Sequence, residues 1–337
     1  MQELWQIFVE GYKGYASYLW YEMTHPGPRN YFYWLIGVSL FFFAVEILRP
    51  WRKNQPIFRK DFWLDLFYMF FNFFLFSLII YNAASSVIVH LLNDGILNLT
   101  GFNLQANNPM QYWPAWAILL TGFIVRDFVQ WNTHRLLHRV PRLWEYHKVH
   151  HSVEQMGFAA HLRYHWMETI VYRSIEYLPL ALLGIGLHDF FIIHIFTLAV
   201  GHYNHSNISV DARLSGLIFA ALLSIVFLGG YFDVTLIVGW SLTAQLVFVA
   251  GLLLAGFFVL GPFMKRIFNS PEMHIWHHAK DIPQEKKYGV NFGITLALWD
   301  YLFGTVYWPS TGRDIALGFE RVKEFPKTFW RQIRHGF

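Results

Sequence analysis

The sequence predicts an all-α integral membrane protein with about four transmembrane or re-entrant helical regions, an extra apolar hairpin and a cytosolic histidine-rich helical cap. Three observations carry this expectation. The 337 residues are 55% hydrophobic and only 14% charged, where a soluble domain carries about 25% charged residues. Apolar stretches recur at close to the length of about 20 residues that a spanning helix needs. The histidines, 17 in all, gather mainly in short clusters at the ends of those stretches.

The chain begins MQELWQIFVEGYKGY, with Trp5, Phe8, Val9 and Tyr12 at helical spacing. That pattern predicts an amphipathic interfacial helix. A cleaved leader is not expected, since a basic n-region followed by an apolar run is missing. Residues 31–48 form the first predicted span. Residues 62–82 form the second, interrupted by Asp65 and Asn72. The third, 113–131, carries Arg126 and Asp127 near its end. The fourth, 175–200, is broken around His188 and Asp189 and reads as two short helices that dip in and return. The apolar block 217–260, interrupted by Gly229, Gly230 and Asp233, reads as a membrane hairpin whose return keeps the flanking histidines together. Three regions follow: 1–112 with the interfacial helix and two transmembrane helices, 113–310 with the histidine clusters, and a basic tail, 311–337.

Charge fixes the expected orientation. The formal net charge is +4 and the isoelectric point about 9.1, which favours anionic lipid headgroups. The basic residues sit between apolar stretches rather than on one polar face, so nucleic acid is not an expected partner. Arg49, Arg52, Lys53, Arg59 and Lys60 lie between the first two spans, and Arg135, Arg139, Arg142 and Lys148 follow the third. Both loops and the C-terminal KEFPKTFWRQIRHGF then fall on the cytoplasmic side. The chain has no cysteine, which excludes disulfides, zinc–thiolate sites and a cysteine-held iron–sulfur cluster within it. A redox enzyme of this composition takes its electrons from a separate protein.

His134 and His138 form H-x-x-x-H after the third span. His147, His150 and His151 form H-x-x-H-H, and His274, His277 and His278 form a second one. His202 and His205 stand between. Positions three or four apart share one helix face, so each cluster turns two or three imidazoles the same way. Imidazole suits iron, zinc, copper and nickel. Nine or more ligands exceed what one ion needs, which favours a dinuclear centre, and the E-x-x-H pattern of carboxylate di-iron bundles is missing. Lone histidines more often cap or face solvent, the reading taken for His25, His90, His188, His194 and His335. His165 and His202 read either as ligands or as hydrogen-bond partners of ligands. His161, four residues before His165, lacks a comparable motif.

The segment DFVQWNTHRLLHRVPRLWEYHKVHHS resembles the first signature of the fatty acid hydroxylase/sterol desaturase family, the histidine-box di-iron membrane oxygenases. NHSNIS, SPEMHIWHH and NFGITLALWDYLFGT resemble the rest, from about Arg126 to Trp308. The resemblance makes 113–310 a fatty acid hydroxylase-like catalytic domain. It implies two iron ions without haem, with O₂ as co-substrate, and hydroxylation or desaturation of a sterol, fatty acyl chain, ether lipid or related lipid. An external electron donor, a cytochrome b5- or ferredoxin-like protein with its reductase, is implied as partner. The setting is a multi-pass membrane protein of a bacterial inner membrane or endoplasmic reticulum with its catalytic face cytoplasmic.

Carried over residue by residue, the family's ligands fall on His134, His138, His147, His150, His151, His205, His274, His277 and His278. LRYHWME adds His165 as a candidate tenth. Asp127, two turns before His134, orients an imidazole or pairs with Arg126 or Arg135. Asn291 and Asp300 are candidate supports around the ligands; Trp299 and Phe303 read as packing. The block 217–260 departs from the family pattern, which weakens transfer of substrate identity. Two other classes compete. A zinc-dependent membrane hydrolase needs three ligands and a glutamate base, and Glu145 and Glu168 are available without an H-E-x-x-H. A metal transporter or sensor would place its ligands near the membrane midplane.

Overall fold

The computed structural model describes residues 2–27, 30–76, 82–101, 110, 112–183, 185 and 187–337. Among these there is no strand, only the isolated bridges Phe268–Leu296 and Ala279–Leu317. The predicted N-terminal helix is α1 (Gln2–Thr24). Helix α2 (Tyr31–Leu48) starts where the Asn30 side chain accepts from the Tyr33 amide at 3.2 Å and stops before Pro50. It is apolar nearly all round, as a helix surrounded by lipid or protein must be.

The second apolar region is less membrane-like than its composition. Helix α3 (Phe62–Phe70) runs into a π-turn, Phe71–Leu75, and residues 77–81 of the predicted span lie outside the described residues. Its two polar interruptions have partners in the protein. Buried Asp65 pairs with Arg59 at 2.5 Å and Arg163 at 3.0 Å. Asn72 donates to the carbonyls of Leu162 and Tyr164. An ionised group buried away from water persists only when paired in this way. Helix α4 (Asn82–Thr100) is not anticipated by the sequence, where Asp94 and Asn98 break the apolar run; it packs along α1.

Helix α5 (Ala115–Arg139) joins the third apolar region to the first histidine cluster in one rod. Val140, held extended before Pro141, turns the chain into α6 (Pro141–His151), which starts with that proline at its first position. A 3₁₀ turn, Phe158–Leu162, leads to α7 (Trp166–Leu183) and α8 (Leu187–His205). The break in the fourth apolar region thus falls between Leu183 and Leu187, just before the expected His188.

The expected hairpin is present and somewhat longer than 217–260. Helix α9 (Ala212–Gly229) is capped by Asp211 and ends at Gly230 in the left-handed region, φ 62°. Helix α10 (Leu242–Ala255) continues irregularly into α11 (Met264–Ile267). The two arms are antiparallel: Gly216 faces Gly256 and Gly261 at one end, and Phe227 and Phe248 lie 5.3 Å apart further along. A Cβ on Gly216 would run into the Gly256 carbonyl, so glycine is required for this close approach. Among the described residues three helices are long and apolar enough to cross a membrane: Tyr31–Leu48, Ala212–Gly229 and Leu242–Ile267.

Contacts at the helix ends gather the histidines on one side. Just past α2, the Trp51 amide donates to the Asn207 carbonyl beyond the end of α8. At the opposite end the Ala115 amide donates to Asp233 in the hairpin turn. The C-terminal ends of α2, α5 and α8 therefore share the cap with α6, α12 (Pro271–His277), α13 (Leu298–Leu302) and α14 (Phe329–Gln332). The tail belongs to this cap: Phe329 packs against Phe67, Tyr68 and Phe71, and His335 meets Glu145 at 2.9 Å.

Candidate metal centre

Among the described residues, nine histidines form two adjoining groups. His134 and His138 from α5, His147 and His151 from α6 and His277 from α12 make the first. His150 from α6, His205 from the end of α8, and His274 and His278 from α12 and its cap make the second. Within each group the ligand-capable atoms all lie within 4.8 Å of one another. The groups touch: the His151 and His278 rings are 4.4 Å apart and those of His277 and His274 5.0 Å. Each H-x-x-H-H segment feeds both groups, because its consecutive histidines point about 100° apart around the helix.

The imidazoles are oriented from behind. His134 Nδ1 donates to the Phe292 carbonyl at 2.8 Å and His277 Nδ1 to the Val290 carbonyl at 2.7 Å. His205 Nδ1 lies 2.8 Å from the Gly201 carbonyl and 2.5 Å from Asn204 Oδ1. A proton held on Nδ1 leaves the Nε2 lone pair facing inward. Glu168 approaches this layer too, with Oε1 3.0 Å from His147 Nδ1 but without hydrogen-bond geometry, both side chains being fully buried. The Asn269 amide lies 3.1 Å from His274 Nδ1.

Residues 289–293 form the shelf behind three of these rings, and it has its own supports. Asn291 sits at φ 51°, a conformation that Asn tolerates better than most residues. Its side chain ties the Met273 and Tyr307 carbonyls and accepts from the Tyr307 amide. Asp300 accepts from the Phe292 and Gly293 amides, from Trp131 Nε1 and from the Thr305 hydroxyl. Asp127 binds neither an imidazole nor an arginine in a salt bridge: it accepts from Trp299 Nε1 at 2.8 Å and the Leu296 amide at 3.3 Å. The expected orienting role thus acts through the loop that carries the shelf. Trp299 has this polar contact as well as packing on Phe128.

His165 and His202 lie outside both groups. His165 Nε2 lies 2.9 Å from the Ile333 carbonyl, tying the tail to α7, and its ring stacks on Tyr146. His202 bridges Ser39 of α2 at 3.0 Å and His161 at 3.0 Å. His161, passed over in the sequence, is buried with its ring 5.0 Å from that of His205. Glu168 and Asn269 were also missed as supports. Glu168 carried a signal, since it lies in the same LRYHWME segment that drew attention to His165.

Burial lowers the basicity of the clustered histidines. It pulls His134 down to about 4 against the opposing pull of the Phe292 carbonyl, and holds His138, His147, His151 and His277 well below the usual imidazole range. The same holds for His150, His205, His274 and His278. Neutral imidazole is the ligating form. His138, His151 and His277 each have a buried Nε2 with no hydrogen-bond partner. In the second group, His150, His274 and His205 turn Nε2 atoms onto one another at 3.1–3.3 Å. Buried polar atoms ordinarily find partners; inward lone pairs crowded in this way fit cations at the centre of each group.

A family model described as fatty acid hydroxylase matches residues 119–220 and 210–305, together more than half of the chain. Among curated proteins the chain is similar to an ornithine lipid hydroxylase, OlsE, of Rhizobium tropici, at 26% identity over 225 residues. That match covers 67% of this chain and 52% of the relative, so the chain spans about half the length of the relative it matches. No solved structure matches.

Proposed function

The chain belongs to the fatty acid hydroxylase family, and on that premise we propose that it is a membrane-bound di-iron oxygenase that hydroxylates or desaturates a lipid. The observation that carries the reading is the division of nine histidines into two adjoining groups with inward-facing nitrogens. The ligand number argues against a zinc hydrolase, which uses three protein ligands and an open position. Their place in a cap, outside the three spanning-length helices, argues against a transporter.

His134, His138, His147, His151 and His277 would hold one iron, and His150, His205, His274 and His278 the other. Two irons bound there would supply O₂ activation and the oxidising strength to break an alkyl C–H bond. For hydroxylation, one O₂, two electrons and two protons convert R–H to R–OH and water; for desaturation the same reductant and O₂ remove two hydrogens from adjacent carbons and yield two waters. The protein's share is placement. The carbonyls of Val290 and Phe292 fix two of the rings, which limits reorganisation when charge at the centre changes. Packing of His138, His277 and His134 against Phe292 covers one side of the first group.

The basic loops favour a cytoplasmic face for the cap, where a separate carrier would deliver the electrons that a chain without cysteine cannot store in an iron–sulfur cluster. The relative's printed substrate puts ornithine-type aminolipids first among candidates, ahead of sterols, other acyl lipids and ether lipids. The test is anaerobic purification with metal analysis, followed by mass spectrometry of lipids from cells with and without the gene. Two irons per chain and one lipid class that gains an oxygen or loses two hydrogens is the expected result. Zinc with a hydrolysed lipid overturns the reading.

A further inference from the structure

A cleft of about 520 Å³ opens on the surface of the cap. Its rim carries Arg52 and Lys53, from just beyond α2, and Arg313 from the tail. Its floor comes from the metal-binding segments themselves. Ile275 lies between His274 and His277 on α12, and Met156 follows His151 by five residues. Both are buried with Val153 and Leu317, and Trp51 packs against them. A molecule seated there is separated from the two histidine groups by little more than the helices that carry them.

Arg52 is held in a way that leaves part of its guanidinium unused. Nε donates to Gln55 and Nη2 to the Met156 carbonyl. Nη1 is buried and has no hydrogen-bond partner, and burial pulls the group down to about 10 despite the opposing influence of Glu46. Of the acidic residues lining the cleft, Glu154 is already met by Lys60 and Lys327, and Asp314 by Arg313. Lys53 is exposed and appears in no salt bridge among the described residues. The accessible unmet character of the cleft is cationic, at Lys53, with the buried Nη1 of Arg52 behind it.

We infer that this cleft is the docking site of an acidic one-electron carrier protein, with acidic groups of the carrier facing the exposed Lys53 and competing with Asp314 for Arg313, above the buried Nη1 of Arg52. The inference rests on the oxygenase reading, which requires electrons from outside, and it names where they enter. Charge complementarity of this kind raises association rates and makes them fall with salt. A lipid surface is the competing occupant. The composition of the floor argues for the carrier, since reduction requires approach to the metal-bearing helices and lipid binding does not.

The test uses the full-length protein in nanodiscs and the variants Lys53→Glu, Arg313→Glu and their combination, which leave Arg52 and every histidine in place. The probes are two acidic carriers, a plant-type [2Fe–2S] ferredoxin and the soluble domain of cytochrome b5, each with its reductase. Binding is measured alone by titration, and turnover by KM for the carrier. Single turnover after reduction with dithionite bypasses docking. The double variant is expected to raise the carrier Kd and KM about tenfold or more and flatten their salt dependence, with metal content and single-turnover yield unchanged. Unchanged Kd and KM overturn the docking inference, as does a wild-type protein that turns over once with dithionite but binds neither carrier. A loss of binding to phosphatidylglycerol vesicles with carrier Kd intact reassigns the cleft to lipid. Absence of product in the wild-type single turnover instead sinks the oxygenase reading, while the binding titration still decides the docking.

Discussion

The ring of His161 fills the space that a side chain on Gly201 would occupy. Gly201 lies one helical turn before His205, and its carbonyl lies 2.8 Å from His205 Nδ1. His161 therefore leans on the peptide that orients a ligand of the second group, and is itself held by His202 and through it by Ser39 of α2. Gly201→Ala should expel the ring, at a cost of about 1–3 kcal/mol for overpacking. His161→Ala should leave the fold less affected and loosen His205. Both variants should bind close to one metal per chain where the wild type binds two, with the deficit in the second group. Metal titration alongside thermal melts checks this, and full occupancy with an unchanged metal-site spectrum would count against the strut.

The Glu168 carboxylate beside His147 predicts a different signature. Glu168→Gln keeps the volume but removes the acidic group that lies 3.0 Å from His147, so metal affinity at the first group should fall about 10–100-fold. Competition with a chelator reads this directly. The zinc-hydrolase alternative would treat the same residue as a base and predicts loss of turnover at intact affinity, so the two readings separate on one variant.

His277, a carried-over ligand, and His165, a candidate tenth, should behave differently. His277→Ala or His150→Ala removes an inward-facing ligand and should abolish both stoichiometric metal and product formation. His165→Ala loses a hydrogen bond to the Ile333 carbonyl, worth about 0.5–1.5 kcal/mol. Its expected effect is faster proteolysis of the tail with metal retained. A metal-deficient His165→Ala protein would return His165 to the ligand set.

Asp300 accepts four hydrogen bonds beneath the residue 289–293 shelf. Asp300→Ala strands buried donors at about 1–3 kcal/mol each before relaxation, and should destabilise the cap by on the order of 3 kcal/mol. Asp300→Asn, which keeps an acceptor, should recover part of that loss. Chemical denaturation of the metal-free protein separates this effect from metal binding.

How much of this is legible in the sequence depends on the range of the contact. The ligand clusters are local: spacing of three and four fixes a common face before any tertiary contact forms, and all nine carried-over histidines converge. The spanning helix Tyr31–Leu48 and the two hairpin arms are legible for the same reason, since hydropathy is summed along one element; 62–82, 113–131 and 175–200, also expected as spans, are not among the spanning-length helices of the described residues. What is illegible is set across the chain. Phe292 and Val290 act through their carbonyls, which have no sequence signature. Asp127 lies one turn-pair from His134 yet is claimed by Trp299, 172 residues away. The apolar 62–82 stretch reads as lipid-facing because nothing local shows Arg163 or the Leu162 carbonyl arriving to satisfy Asp65 and Asn72. His161 has no motif because its partner is the missing side chain of a glycine.

The lowered basicity of the nine ligand histidines gives the final prediction its sign. Their folded values lie below the unfolded value of about 6.5, so above that pH both states are neutral and stability is unaffected. As pH falls below about 6.5 the unfolded chain takes up protons that the buried cap refuses, and stability falls with the number of protons taken up. The loss continues until the folded values are reached, near 4 for His134. Metal binding obeys the same competition, because a protonated imidazole cannot ligate. The metal-free protein should therefore show a melting temperature that is flat from about pH 7 to 8 and falls steeply from about pH 6.5 to 5. The metal-loaded protein should hold its plateau to lower pH and release both ions over a narrow range. A metal-free protein whose melting temperature rises on acidification would mean that these imidazoles take up protons more readily folded than unfolded, and they would not then form the proposed centre.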